Sequence, residues 1–305
     1  MTDSELHLFF ETFVRKLRSQ GVVCAITSGM ACVHYGVAET TKDCDLLCHP
    51  GSFDTLLNLL AETTITGASC HYRGHISPPL DARWHRGGWS SHFEWGLMPE
   101  LTTLDVFGHA LRESSPWQDD IAGLYASENV VAEMKRTDRD KDWPFVTSLG
   151  VGLLQARDRR GWLHLFDADA ISEMLEACAI PDDLLTVRPA LQLAARRDPA
   201  LHHALLAEKH FWKELDRLRI RICRAALRPY VLAMGRENIS PTASFPEEHA
   251  ARLACAETNL DKNPVGKYGV DRMIEDARKS TATFVHPELI RWLPDVRPHF
   301  SFLTP

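Results

Sequence analysis

The segment from Val22 to Leu47 constrains the fold of this chain most, because it joins two short apolar runs through a Ser-Gly pair and places two aspartates at the second run. The first run, Val22 to Thr27, is apolar and partly β-branched, which predicts a buried strand. Ser28 and Gly29 follow as a predicted turn, and the second strand is expected to begin near Lys42. The sequence therefore predicts a strand, a turn, a short helix and a second strand in close succession.

Two aspartates on the second predicted strand indicate a cation site. Strand residues two apart share a face, so Asp43 and Asp45 are expected to project together while Cys44 and Leu46 face the opposite side. Two carboxylates this close repel each other unless one is protonated or a cation lies between them. Mg²⁺ prefers carboxylate oxygens, and Mn²⁺ accepts the same ligands. Alone, an Asp-x-Asp pair is also common at exposed strand ends, so the interpretation depends on the rest of the pattern.

Length and composition are those of an ordinary globular protein. The chain has 305 residues, 45% of them hydrophobic and 25% charged, and this length predicts two domains. No apolar run approaches the roughly 20 residues that span a bilayer, and the acidic start MTDSELHLFF is not the pattern of a secretory signal. With eight scattered cysteines, these features predict reduced thiols and a cytoplasmic location. The net charge of −7 argues against general nucleic-acid affinity, so neither a DNA nor a membrane partner is predicted.

A third carboxylate is predicted on a later strand. Residues 92–97 and 101–107 have strand character, and Asp105 lies in the second run between two aliphatic residues. Glu94, on the preceding strand, is an alternative third acid. The sequence thus predicts acidic residues on neighbouring strands of one sheet.

The segment from Cys70 to Trp89 is rich in His, Arg, Gly and Pro. It is interpreted as a long loop or hairpin over the site, and loops of that length are often functional. Histidines and arginines in and beside it, including Arg73 and His92, are candidate donors that face a substrate.

Helical periodicity dominates the remainder of the chain. Residues 4–20 repeat apolar positions at helical spacing, and Ser127 can cap a helix that runs to Lys135. Strand-like runs cease beyond about residue 150, which predicts two domains, 1–150 and 151–305. The predicted fold class is α/β (α+β), with a mixed sheet and flanking helices followed by a helical C-terminal domain.

The longest predicted helix covers residues 199–234, and its polar face from Lys209 onward is mainly basic. The basic residues are Lys213, Arg217, Arg219, Arg221, Arg224 and Arg228. Such a face is usually solvated, but it can also follow an RNA backbone. An RNA-interaction protein built on this helix is therefore a further hypothesis for the chain.

Three motifs in the first half occur together in one known superfamily. They are Ser28-Gly29-Met30-Ala31, His34-Tyr35-Gly36 and Thr41-Lys42-Asp43-Cys44-Asp45-Leu46. They resemble the signature of small bacterial members of the nucleotidyltransferase superfamily, roughly Gly-Gly-x-Ala, His-Gly and Thr-x-Asp-x-Asp-Leu, whose fold is shared with DNA polymerase beta. Lys135 on a helix, followed by Arg139-Asp140-Lys141-Asp142, resembles a further family feature. The likeness covers about half of the chain.

The resemblance implies a Mg²⁺-dependent (or Mn²⁺-dependent) nucleotidyltransferase that moves a nucleoside monophosphate from an NTP to an acceptor. It assigns phosphate contacts to Ser28 and Gly29, and phosphate neutralisation to Lys135. The metal ligands and catalytic acids that it implies are Asp43, Asp45 and Asp105, with Asp105 also a candidate base. The family includes antibiotic-modifying enzymes, tRNA-modifying enzymes and toxins of toxin–antitoxin pairs, so RNA, protein and small molecules are all candidate acceptors.

Two positions depart from the family pattern. Ser28 stands where Gly is common, and Glu39 stands where many relatives have Arg. An acidic side chain beside a triphosphate pocket repels the ligand. The alternative hypothesis is therefore a catalytically inactive, nucleotidyltransferase-like module that binds nucleotides or has a regulatory role.

Overall fold

The computed structural model describes residues 3–96, 101–110, 116–237, 239–240 and 242–303. These residues contain one six-stranded sheet. Its strands are Cys24–Thr27 (β1), Cys44–Cys48 (β2), Thr64–Ile65 (β3), Ala68–Tyr72 (β4), Ser90–Trp95 (β5) and Thr102–Phe107 (β6).

Helices lie between the strands and make up most of the described chain after β6. The helices before β6 are Asp3–Ser19 (α1), Ser28–His34 (α2), Phe53–Glu62 (α3) and Ala82–His85 (α4). Those after β6 are Glu128–Met134 (α5), Trp143–Gln155 (α6), Ala168–Ala177 (α7), Asp182–Val187 (α8), Leu191–Ala195 (α9), Leu201–Met234 (α10), Phe245–Asn259 (α11), Pro264–Tyr268 (α12) and Val270–Ala282 (α13).

The sheet is mixed, with the strand order β1-β2-β6-β5-β4-β3. Strands β2 and β6 run parallel, whereas every other neighbouring pair is antiparallel. A parallel pair needs a long crossover, and here the chain between β2 and β6 includes α3 and the strands on the far side of the sheet. The predicted mixed α/β architecture and the helical C-terminal region are confirmed.

One face of the sheet packs on the helices of the first half, while the other is polar. Along β6, Leu104 and Val106 are fully buried, whereas Asp105 between them is only partly buried. The apolar stripe of α1 contributes Phe10, Val14 and other residues to the same core. The alternation of β6 therefore turns Asp105 away from the core, as strand geometry requires.

The predicted helix boundaries hold closely, and the strands differ in detail. Helix α1 ends at Ser19, and the side chain of Ser127 accepts a hydrogen bond from the Val130 amide at the start of α5, as expected of an N-cap. Strand β2 begins at Cys44 rather than near Lys42, so Asp43 immediately precedes it. The predicted turn at residues 98 and 99 lies outside the described residues.

The segment from Cys70 to Trp89, predicted to be a long loop or hairpin, contains a regular element near each end. Its first residues complete β4, which pairs with β5, and residues 82–85 form α4. In β4, Cys70 and Tyr72 are buried while His71 between them points to the polar face. Three residues are too short a run for alternation to stand out against the surrounding polar composition.

The C-terminal helices contact the first half of the chain extensively. Trp84 and Trp89 donate hydrogen bonds to the carbonyls of Leu260 and Asp261, which follow α11. Residue 150 lies inside α6, and the division into domains 1–150 and 151–305 stays a prediction. No helix in the described part of the chain is both long enough and apolar enough to cross a membrane.

Part of the basic face of α10 is neutralised within the protein. Lys213 Nζ lies 2.8 Å from Asp140 Oδ1, and Lys209 Nζ lies 3.9 Å from the same oxygen. Arg221, Arg224 and other residues of the next turns are exposed. Only the C-terminal part of the face therefore resembles the solvated basic surface that the sequence predicts, and RNA binding there stays a prediction.

A buried ion pair fixes the connection between α8 and α10. Both carboxylate oxygens of Glu208 accept hydrogen bonds from Arg188 Nε, at 2.9 and 3.0 Å, and Arg188 Nη1 donates to the Trp162 carbonyl at 2.8 Å. Arg188 and Glu208 are 2% and 1% exposed. Removal of one partner would leave the other charge buried without compensation.

We therefore expect Glu208→Gln to lower the free energy of unfolding by about 3–5 kcal/mol. Urea denaturation followed by circular dichroism measures the change. The matched control is Glu176→Gln, which breaks the exposed pair of Glu176 with Arg197 and should change stability by less than about 1 kcal/mol. Equal effects of the two variants would contradict the role given to the buried pair.

Candidate active site

One row of residues runs across the sheet and organises its polar face. Thr27 of β1 is opposite Asp45 of β2, and Asp45 is opposite Asp105 of β6. Asp105 is in turn opposite His92 of β5, and the Arg73 amide, just beyond β4, donates a hydrogen bond to the His92 carbonyl. Residues opposite each other in a ladder project to the same face. Two acids and two basic side chains are thereby brought side by side.

The predicted Ser28-Gly29 turn is the beginning of α2, directly after β1. Ser28 has a φ of 54°, in the left-handed region that favours glycine. A glycine would be unstrained in this conformation, although this chain has Ser. The Ser28 side chain is near enough to Asp45 to lower the pKa of that carboxyl group, which places the turn beside the carboxylates.

Gly29 packs against the segment that precedes β2. A Cβ atom at position 29 would overlap Thr41 Oγ1 and lie 3.2 Å from Thr41 Cβ. The Thr41 hydroxyl donates a hydrogen bond to Asp43 Oδ1 at 3.2 Å. The absence of a side chain at Gly29 thus allows Thr41 to hold Asp43 next to the start of α2. Asp43 itself is exposed.

Asp45 has the most perturbed carboxyl group of the row. Burial raises its pKa to about 7, and the charges of Asp105 and Asp43 act in the same direction. The hydrogen bond from Ser28 and the charge of Lys135 oppose the increase. A carboxylate that is disfavoured by its neighbours in this way is stabilised by a bound cation.

Asp105 is in contact with two basic side chains. Arg73 Nη2 donates a hydrogen bond to Asp105 Oδ1 at 2.8 Å. His92 Nδ1 also lies 2.8 Å from this oxygen, without the alignment of a hydrogen bond. The sequence predicts that Arg73 and His92 are substrate-facing donors, and the structure places both in contact with Asp105.

Lys135 is buried rather than solvated. It is 7% exposed, and its Nζ lies 3.8 Å from Asp142 Oδ1. Asp142 also accepts hydrogen bonds from Arg139 Nε and from the Thr137 hydroxyl, at 2.9 and 2.6 Å. The Arg139–Asp142 element therefore organises the cationic side of the site, and Lys135 is near enough to Asp45 to lower its pKa.

Glu94 and Glu39, the two other acidic residues singled out in the sequence, are not opposite Asp45 in the sheet. Glu94 is on the polar face of β5, opposite Thr103 rather than a carboxylate, and burial raises its pKa. Glu39 is exposed, in the connection between α2 and β2. Asp105, and not Glu94, is therefore the strand residue opposite Asp45.

Residues of the C-terminal helices support the loop that carries Arg73, and no local pattern in the sequence indicates them. Arg252 of α11 donates hydrogen bonds to the carbonyls of Gly74 and Ser77, at 2.6 and 3.1 Å. Tyr230 of α10 donates to the Ser77 carbonyl at 2.9 Å. Long-range partners of this kind have no spacing pattern that could reveal them. They attach the 73–80 loop to the helical region.

The carboxylates are arranged so that two of them, rather than three, could bind one hard cation. Asp43 is near enough to Asp45 for its charge to add to the effect of burial in raising the pKa of Asp45. In the described parts of the chain, however, no group of three or more His, Cys, Asp or Glu side chains is arranged to hold one metal ion. Asp105 is instead paired with Arg73.

Comparisons with protein-family models and with curated proteins found no match to this chain. The resemblance to nucleotidyltransferases therefore depends on the motifs and on the geometry of the site.

The raised pKa of Asp45 predicts a specific pH dependence of stability. Between about pH 4 and pH 7 the unfolded chain ionises this group while the folded protein keeps it protonated, so stability falls as the pH rises through this range. Without divalent cations, Asp45→Asn should be more stable than the wild type at pH 8, on the order of 2 kcal/mol. Denaturation curves at pH 5 and pH 8 measure the difference, which should be smaller at pH 5. Equal pH profiles would contradict the assignment.

The close packing at Gly29 predicts that a single methyl group there is destabilising. Gly29→Ala should lower the free energy of unfolding by about 1–3 kcal/mol, because Thr41 must move. In a Thr41→Ala background the cost should be smaller, and a double-mutant cycle measures this coupling. Gly235→Ala, at the end of α10 with no contact closer than 3.4 Å, is the matched control. Additive effects of the Gly29 and Thr41 substitutions on the free energy of unfolding would show that the two positions are not coupled, and would contradict the prediction.

Proposed function

We propose that this chain is a Mg²⁺-dependent nucleotidyltransferase, which transfers a nucleoside monophosphate from an NTP to an acceptor. The observation that carries the proposal is the juxtaposition of the start of α2 with Asp43, Asp45 and Asp105. Phosphoryl transfer depends mainly on positioning and charge neutralisation. The site brings together the polar and charged groups that can supply both. The mixed sheet, with its acids on β2 and β6, is consistent with a nucleotidyltransferase-like fold.

Each side chain has a role that its position supports. Ser28 and Gly29 would contact the triphosphate, since they lie beside the carboxylates at the beginning of a helix. Lys135 would offset negative charge that accumulates on the phosphates during transfer, because it is held close to Asp45 by Asp142. Asp43 and Asp45 would hold the divalent ion.

When bound, the ion would polarise the α-phosphate and favour the deprotonated form of the acceptor hydroxyl. Asp105 would accept the proton of that hydroxyl at Oδ2, since its polar contacts with described residues are made through Oδ1. Arg73 and His92 would keep the carboxyl group oriented during this transfer. The acceptor would approach along the polar face of β5 and β6.

The runner-up is a nucleotidyltransferase-like module without turnover. The exposed Glu39 and the non-glycine residue at the strained position 28 favour it. It differs from the main proposal in its observable result, which is nucleotide binding without a product.

The proposal is tested by incubating the protein with each α-phosphorus-labelled NTP, Mg²⁺ and a mixture of cellular RNA, protein and small molecules. The wild type should label one fraction, which names the acceptor class. Asp45→Asn should reduce this labelling by at least about 100-fold, because it removes a ligand of the ion.

The matched control is Asp169→Asn, which changes an exposed aspartate of α7 and should leave labelling unchanged. Circular dichroism should show that both variants remain folded. Labelling that survives Asp45→Asn would overturn the assignment. Tight NTP binding by the wild type with no labelled fraction would favour the module without turnover.

A further inference from the structure

The proposed chemistry uses Arg73 only to orient Asp105, and its permanent charge has a further consequence. It is a permanent cation, and its guanidinium lies 2.8 Å from Asp105, the acid that the family pattern assigns to metal binding. Exposed ion pairs contribute little, but this pair is mostly shielded, with side-chain exposures of 31% for Arg73 and 19% for Asp105. The Arg73–Asp105 contact is therefore not an ordinary ion pair of two exposed side chains.

The position of Arg73 is fixed from both sides of its backbone. Its amide donates to the His92 carbonyl at 2.9 Å, and the carbonyl of the next residue, Gly74, accepts from Arg252 at 2.6 Å. Arg252 is buried and is itself held by Glu248 at 2.8 Å. A guanidinium on such a supported backbone loses little conformational freedom when it binds a carboxylate.

A fixed positive charge at Asp105 changes how many metal ions the site can accept. A dication placed between Asp45 and Asp105 would lie close to the guanidinium and be repelled by it. In addition, Asp105 Oδ1 already accepts a hydrogen bond from Arg73. A dication at Asp43 and Asp45 would lie farther from the guanidinium, because Asp45 is on β2, one strand away from the residue that Arg73 contacts. The charge pattern thus favours one ion site and disfavours a second.

We infer that the Arg73 guanidinium takes the place of a second metal ion at Asp105, so that this site binds one divalent cation rather than two. The inference rests on the proposed function, since it concerns the ion that Asp43 and Asp45 would hold. Arg73 acts as a positioning residue, which orients Asp105 and contributes the positive charge that a second ion would supply.

The test counts Mn²⁺ ions bound per chain by electron paramagnetic resonance, without nucleotide. The wild type should bind one ion. Arg73→Met should gain a second ion of comparable affinity, whereas Arg73→Lys, which keeps the charge, should still bind one. Arg83→Met, which removes an exposed arginine paired with Asp81 and Glu257, is the matched control and should also bind one.

A second variant covers the case in which Arg73→Met does not fold. Asp105→Asn should keep the single ion with its affinity changed by less than about three-fold, since Asp105 is not a ligand of that ion. Three outcomes would overturn the inference and leave the proposed metal site in place. They are two ions in the wild type, loss of the ion in Asp105→Asn, and one ion in a folded Arg73→Met. No ion in the wild type would overturn the proposed function, and the inference with it.

Discussion

The parallel pairing of β2 with β6 is the constraint on which the site depends. This register sets Asp45 directly opposite Asp105, so two carboxylates are neighbours on one face of a sheet. Like charges in that arrangement are destabilising, and the charge of Asp105 adds to the larger effect of burial in raising the pKa of Asp45. The remaining polar groups of the site compensate this charge: Arg73 contacts Asp105, and Lys135 and Ser28 act on Asp45.

Each compensating group is held by a different part of the chain. The Ser28 conformation follows from the junction of β1 and α2, and Lys135 is held at the end of α5 by Asp142. Arg73 depends on hydrogen bonds from α10 and α11 to its loop. The helical region is thus part of the site even where it contributes no reacting group. It fixes the position of the Arg73 guanidinium, which orients Asp105.

Local patterns could predict the central elements of this fold. The helical periodicity of α1, the cap at Ser127 and the alternation around Asp105 each depend on neighbouring residues, and the structure has them where the sequence indicates. Patterns could not predict that β4 lies within the His- and Arg-rich segment, or that Arg73 would pair with Asp105. Both depend on contacts between residues far apart in the chain, such as those of Arg252 with Gly74 and Ser77. The burial of Lys135 is different, because its partner Asp142 belongs to the neighbouring segment that the sequence motifs already connect with it.

The most direct test of the account is the anomalous scattering from Mn²⁺ in crystals of the wild-type protein grown with an unreactive NTP analogue. We expect a peak at the carboxylates of Asp43 and Asp45, with the triphosphate beside Ser28 and Gly29 and with Arg73 still in contact with Asp105. A peak bridging Asp45 and Asp105 with Arg73 displaced, or no peak at these carboxylates, would contradict it.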